Sequence, residues 1–323
     1  MSLRDSLLIS IWHYLRVFEK FIGKKIYLIF SFSFLAATAE SIGLLLLIPL
    51  LQSLGDKKIE TTNFLSRLLN FKEFSGPVEI LLYVFLAFLI KAIFTFIAYS
   101  YLANIRADLL GKMKKNIFKK YANANYKYFE FSDIGYLSSV INFQVRAMMQ
   151  SFYFVSSVIV QLLNAGLLIL IAYSLGPIQA ILALIGGVLI FSGFYSINKY
   201  IKKQSIIYAN TEAKSSSYVN QFLNSFKYLK STNQNSFFEV PFNKAANNLI
   251  FRQKNIGIAN SLTTAIRDPL AILVIFFMVL VQVNLLGLPA APVFVSIILF
   301  YRALNSIIGT QINWQQAMEF IGS

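Results

Sequence analysis

Three charged residues, Glu40, Lys91 and Arg302, interrupt stretches of sequence that are otherwise almost wholly apolar. A charge within hydrocarbon costs about 2.5–3.5 kcal/mol on insertion scales, so such residues face a bundle interior or a water-filled cavity. Two kinds of chemistry are open to them. Arg302 and Lys91 can line a central cavity and attract an anionic substrate group such as a phosphate or pyrophosphate, Arg offering a bidentate fork. Alternatively, Glu40 pairs with Lys91 or Arg302 between spans and fixes packing without touching a substrate. No catalytic residue is expected beside them. The 323 residues contain no Cys and one His, which removes disulfides, thiol chemistry and the usual Cys or His metal centres, so no metal site is expected. Nor does any stretch read G-x-x-x-x-G-K-[S/T], the Gly-rich loop whose backbone N–H groups cradle phosphates, so no ATP-hydrolysing site is expected in these residues.

The elements that must position the trio follow from composition. Hydrophobic residues make up 57% and charged residues 13% of the chain, against about a quarter charged in ordinary soluble domains. That excludes a soluble fold and predicts an all-α integral membrane protein. With about 20 apolar residues per crossing, six spans are expected, roughly at 26–54, 79–103, 151–173, 178–198, 262–286 and 289–311. Ahead of them, Leu8, Ile11, Leu15, Phe18 and Ile22 recur at helical spacing among Arg4, Asp5, Arg16 and Lys20. This predicts an interfacial elbow helix over residues 1–25, or an ordinary lead-in to the first span.

Charge placement predicts orientation. Of 29 Lys and Arg, 22 fall in segments 1–25, 104–150 and 199–260, whereas the loops at 55–78, 174–177 and 287–292 hold four. By the positive-inside rule the basic segments and both termini are cytoplasmic. The net charge of +15 is thereby accounted for by topology and by anionic headgroups, and no nucleic acid partner is expected.

Segments 104–150 and 199–260 are too long for turns. Helix formers without Pro dominate 104–122, where Ile105, Leu109, Met113 and Ile117 repeat every fourth residue. Helices are therefore expected to leave the membrane, reverse in aromatic-rich segments at 121–135 and 220–235, and return as two cytoplasmic hairpins. The tips expose Tyr126, Tyr128 and Phe129 in the first hairpin and Phe222, Phe226 and Tyr228 in the second. Apolar side chains there suit a groove on a partner, or a local mini-core at the hairpin end.

This order of parts resembles the transmembrane domain of ATP-binding cassette (ABC) exporters over nearly the whole chain. "YFEFSDIGYLSSVINF" (Tyr128 to Phe143) is similar to the stretch after that family's first coupling helix, with Gly135 and Leu137 in matching places. "VNQFLNSFKYLKSTNQNSFF" (Val219 to Phe238) is similar to the second coupling segment. There Leu223, Phe226 and Lys230 fit, while Gln221 replaces the common Glu and Ser225 the common Gly. "FYRALNSIIGTQINWQQAMEFIGS" (Phe300 to Ser323) looks like the last span running toward an ATPase linker.

The resemblance implies a type-1 exporter fold in a domain-swapped dimer, the tips touching ABC ATPase domains that hold ATP and Mg2+. It also implies alternating access and residence in a bacterial inner membrane. An intramembrane Glu followed by Gly and Pro in "AESIGLLLLIPLLQSL" (Ala39 to Leu54) is similar to transporters that flip lipid-linked oligosaccharides or export glycolipids and polysaccharide precursors. Peptide, drug and protein exporters share the scaffold. An ion-coupled secondary transporter is the rival from another class, although Glu40 is essentially its one intramembrane acid. The ending at a domain junction favours a piece of a longer half-transporter over a separate subunit.

Three further features carry expectations. Pro49 removes one backbone hydrogen bond and bends the first span. Gly186 and Gly187 permit close helix approach. Arg267 and Asp268, before Pro269, are expected to pair locally at a kink.

Overall fold

Long apolar runs broken only by basic, helix-forming extensions leave the backbone one way to satisfy its polar groups in lipid, and among the described residues of the computed structural model every regular element is helical. The structure describes residues 22–47, 49–50, 76–175, 177–234, 236–281 and 290–320, together with Arg16 and Glu19. Most of the expected elbow helix, residues 51–75, the connection 282–289 and residues 321–323 lie outside them.

Helix α1 spans Lys25–Leu45, and α2 spans Pro77–Ala122. Pro77 stands at the start of α2, where its missing N–H has no intrahelical acceptor to leave unsatisfied. Glu79 in the first turn and Lys119 and Lys120 in the last complement the helix dipole. The 46 residues of α2 correspond to about 70 Å of helix, more than twice the ~30 Å of a hydrocarbon core. Span and basic extension are therefore one continuous rod.

Two short helices follow, α3 at Tyr126–Phe131 and α4 at Ile134–Ser139. A π-helical turn at Val140–Gln144 joins α4 to α5, Val145–Leu175. Helix α6, Pro177–Asn224, is as long as α2 and ends at the short α7, Phe226–Ser231. Helix α8 runs over Ser236–Leu280 with Pro241 and Pro269 inside it, and α9 over Ala290–Phe320. Five stretches among the described residues are long and apolar enough to cross a membrane, lying in α1, α2, the α4–α5 run, α6 and α8. The segment expected as the sixth span falls on α9, which packs in the same bundle but is not one of those five stretches.

Within the first span, expected over 26–54, the helix is interrupted. Regular helix ends at Leu45, Leu46 is a turn residue, and the chain resumes at Leu47 with the Leu50 N–H donating to the Leu46 carbonyl at 3.3 Å. Pro49 explains the break, because it has no N–H to donate to the Leu45 carbonyl four residues earlier.

Helix α9 is the centre of the packing, lying between α5 and α6, while α1 packs against α2 and α5 and α8 against α6. Leu44, Leu45, Leu168, Leu299 and Ala303 join α1, α5 and α9 in one cluster. Ile190, Phe194, Ala271, Leu304 and Ile308 join α6, α8 and α9 in another. Close approach depends on the two expected glycines: a Cβ at Gly186 would lie 2.6 Å from Val274 Cγ1, and one at Gly187 would lie 2.7 Å from Ile307 Cδ1.

Candidate substrate and coupling sites

Glu40, Lys91 and Arg302 come from α1, α2 and α9, and the fold brings all three together. Lys91 Nζ lies 2.7 Å from Glu40 Oε2, and Arg302 Nη1 lies 3.5 Å from Glu40 Oε1. The carboxylate is buried, its side chain 9% exposed, whereas those of Lys91 and Arg302 are 27% and 44% exposed. Glu40 thus holds two cations, each with one ion-pair oxygen. One negative charge against two positive ones leaves the cluster cationic on its accessible side. Lys91 also lies 5.7 Å from the centroid of the Phe88 ring, an attraction that helps fix the ammonium where it meets Glu40. The interspan ion pair therefore forms, and Arg302 is the more exposed of its two cations. By contrast, Arg267 and Asp268, neighbours on α8, pair with each other, Nε to Oδ1 at 2.7 Å.

The aromatic tips lie on the two short helices, with Phe222 at the end of α6. Tyr126 is 80% and Tyr228 69% exposed, and Tyr128 and Phe226 are each about half exposed. The side chain of Phe129 lies outside the described residues. Phe222 is half-buried, its ring edge-on to Phe226 at 5.8 Å between centroids. Both rings wall an apolar cavity of about 430 Å³ between α6, α7 and the start of α8, with Phe238, Phe242, Lys230 and Glu239 in the same wall. Leu229, 4% exposed, anchors α7 from beneath. The second tip thus combines a small packed base with an open apolar surface.

Two polar arrangements had little signal in the sequence. The first joins the hairpins. Asp133 caps α4, its Oδ1 accepting from the N–H groups of Gly135 at 2.7 Å and Tyr136 at 3.3 Å, while Ser217 Oγ of α6 donates to its Oδ2 at 2.5 Å. Gly135 is required there, since a Cβ would sit 2.2 Å from Ser217 Cα.

The second is a seam through α6, α8 and α9. Asn198 and Gln311 exchange two amide hydrogen bonds, Gln311 Nε2 also donates to Gln315 Oε1, and Gln315 Nε2 donates to Asn260 Oδ1. Asn260 Nδ2 in turn donates to Glu319 Oε2 at 3.3 Å, and Ser205 Oγ donates to the Glu319 carbonyl. Burial holds the Glu319 carboxyl above its usual range, with the Asn260 hydrogen bond opposing. The i, i+4 spacing of Gln311 and Gln315 among apolar residues was the one clue to a polar stripe.

Comparison with known proteins identifies the family of the fold. Residues 26–308 match the family described as ABC transporter transmembrane region. The chain is also similar to the "Heterocyst differentiation ATP-binding protein HepA" of Nostoc sp. (strain PCC 7120 / SAG 25.82 / UTEX 2576), with 21% identity over 281 residues. That match covers 85% of this chain and 46% of the relative, so the chain spans about half the length of the protein it matches.

Proposed function

The chain belongs to the family of ABC transporter transmembrane regions, and from that premise we propose that it is the membrane-crossing part of an ATP-driven exporter or flippase for an amphipathic, anionic substrate. Lipid-linked oligosaccharides, glycolipids and polysaccharide precursors are the class in view. The observation that carries the substrate class is the Glu40, Lys91 and Arg302 cluster. Within otherwise apolar helices it holds one carboxylate and two cations, and Arg302 is the more accessible of the two. A phosphate or pyrophosphate on a lipid tail matches that arrangement, the guanidinium meeting the headgroup while the tail stays in an apolar surround.

In this reading the basic ends of α2, α6 and α8 are cytoplasmic, two identical halves assemble in a bacterial inner membrane, and ATP and Mg2+ bind on ATPase domains outside these residues. The tips on α3 and α7 receive those domains, with Tyr126, Tyr128, Phe129, Phe222, Phe226 and Tyr228 as the contact residues. Closure of the ATPase domains moves the long helices as levers and reopens the cavity outward. ATP drives this only through tighter binding to the closed state; a swing from 1:99 to 99:1 needs about 10⁴-fold differential affinity.

The test is ATP-dependent flipping by the complete transporter in proteoliposomes, offering a polyprenyl-diphosphate sugar, an uncharged glycolipid, a cationic drug and an apolar peptide in parallel. Preference for the diphosphate supports the reading, and transport of the drug or peptide alone overturns it.

A further inference from the structure

The two hairpin tips are tied to each other by a carboxylate that does more than cap a helix. Capping α4 occupies only Oδ1 of Asp133, which takes both backbone N–H groups. A neutral Ser or Asn would serve that purpose equally well. Oδ2 reaches across to the other hairpin and accepts from Ser217 Oγ, whose oxygen in turn accepts from Gln221 Nε2 at 2.9 Å. Ser217 is 5% exposed and Leu137, on α4 beside it, 6%. The contact is therefore a closed joint between hairpins, in a place where the glycine at 135 lets two backbones meet.

The joint lies between the surfaces proposed to meet the motor and the helices that must move. On one side α4 passes through the π turn into α5 without a loop. On the other, Ser217 lies on α6 just ahead of Phe222 and the α7 tip. Along α4 and along α6 a displacement at a tip reaches this contact before it reaches the spans, while α2 and α8 leave the tips on their other sides.

We propose that Asp133 is a positioning residue for energy coupling, whose carboxylate joins α4 to α6 through Ser217 so that the two tips move as one body. The proposal rests on the reading of the tips as motor contacts. Ser217→Ala removes the cross-hairpin bond and leaves the α4 cap intact, so it separates joining from folding. Asp133→Ala removes both, and Asp133→Asn keeps a cap acceptor while losing the charge.

The complete transporter is assayed in proteoliposomes for ATP hydrolysis and transport together. The chain has no Cys, so once any Cys of the ATPase domains is replaced by Ser, spin labels placed at Lys127→Cys and Lys227→Cys are unique, and diluting labelled chains into excess unlabelled chains isolates the distance within one chain. In the parent protein that distance is narrowly distributed and keeps its mean when a non-hydrolysable ATP analogue binds. In Ser217→Ala the distribution broadens, melting is little changed, and transport per ATP falls about fivefold or more, the range of ordinary coupling energies. Asp133→Ala behaves likewise, and Asp133→Asn is intermediate.

A distribution as narrow in Ser217→Ala and Asp133→Ala as in the parent overturns the proposal, as does a broadened one with unchanged transport per ATP. Failure of the underlying reading is distinguishable. It shows as intact coupling in Tyr128→Ala and Phe226→Ala with inter-tip distances unaltered.

Discussion

Asn198 on α6 and Gln311 on α9 face each other in a reciprocal amide pair, each donating to the other's oxygen at 3.1 Å. Gln311 is 1% and Asn198 7% exposed, so neither amide has water to turn to. Truncating one partner leaves the other's polar atoms short of hydrogen bonds. Asn198→Ala is expected to destabilise the protein by about 1–2 kcal/mol, measured by thermal melting in detergent or lipid. Replacing both residues by Leu is expected to cost less than the sum of the single changes. A strictly additive double-mutant cycle would contradict the pairing.

Glu40 pairs with two cations at once, so its removal differs from removal of either cation. Glu40→Gln leaves Lys91 and Arg302 facing each other without the carboxylate between them. Because both cations are partly exposed, the loss is expected to be about 1–3 kcal/mol, below the value for a fully buried pair. Arg302→Ala leaves the 2.7 Å Lys91 contact in place. It is expected to keep melting and basal ATPase near the parent's while binding of a diphosphate lipid weakens about tenfold, the loss of one charge-assisted contact. Titration with that lipid checks this, and unchanged affinity would remove Arg302 from the site.

Two glycines predict different costs for the same added methyl. At Gly187 the new Cβ meets the terminal Cδ1 of Ile307, which can rotate away. At Gly135 it meets the Ser217 backbone, which cannot. Gly135→Ala is therefore expected to destabilise more, by about 2 kcal/mol against about 1 kcal/mol or less for Gly187→Ala. Equal melting temperatures for the two variants would refute this.

Tyr126 and Tyr228 carry large exposed aromatic surface, whereas Phe222 and Phe226 also pack on each other. Tyr126→Ala and Tyr228→Ala are expected to leave melting unchanged and to weaken substrate-stimulated ATPase several-fold, the behaviour of interface aromatics with little role in the fold. Phe222→Ala is expected to lower melting as well, by about 1–2 kcal/mol, since it is half-buried.

Glu319 gives stability a defined dependence on pH. Its carboxyl is held above the usual 4.5 by burial, so the folded chain binds the proton more tightly than the unfolded one. The contribution is fully present below the unfolded value and is lost as pH rises through the folded one. Glu319→Gln keeps an acceptor for Asn260 and has no charge to bury. Its melting temperature relative to the parent is expected to climb as pH rises from about 4.5 toward neutrality and then level off. A difference independent of pH would show that the group is not held this way.

How far these features could be read beforehand depended on whether they were local. The extension of α2 past the membrane was legible in an unbroken run of helix formers. Lys91 and Arg302 were each visible as a charge in an apolar stretch, but not that both reach Glu40, because three helices meet there. The seam was almost invisible. Asn198, Asn260, Gln311 and Gln315 are ordinary polar residues on helix faces, and nothing in their spacing says which face is turned inward. Asp133 was visible as part of a family-like stretch, without any sign that Ser217, 84 residues later, would be its partner.

By itself the sequence determined that the chain is a helical membrane protein with its basic residues gathered on three segments, and it excluded a phosphate-binding loop within them. Those properties depend on residue type and on periods of a few residues, where hydrophobicity and helix geometry act directly. Tertiary structure alone decided that Glu40 would serve two cations, that Asp133 would close on Ser217, and that an amide seam would join α9 to its neighbours. Each is a contact between helices distant in the chain, set by how their faces rotate and pack rather than by any preference of the residues taken singly.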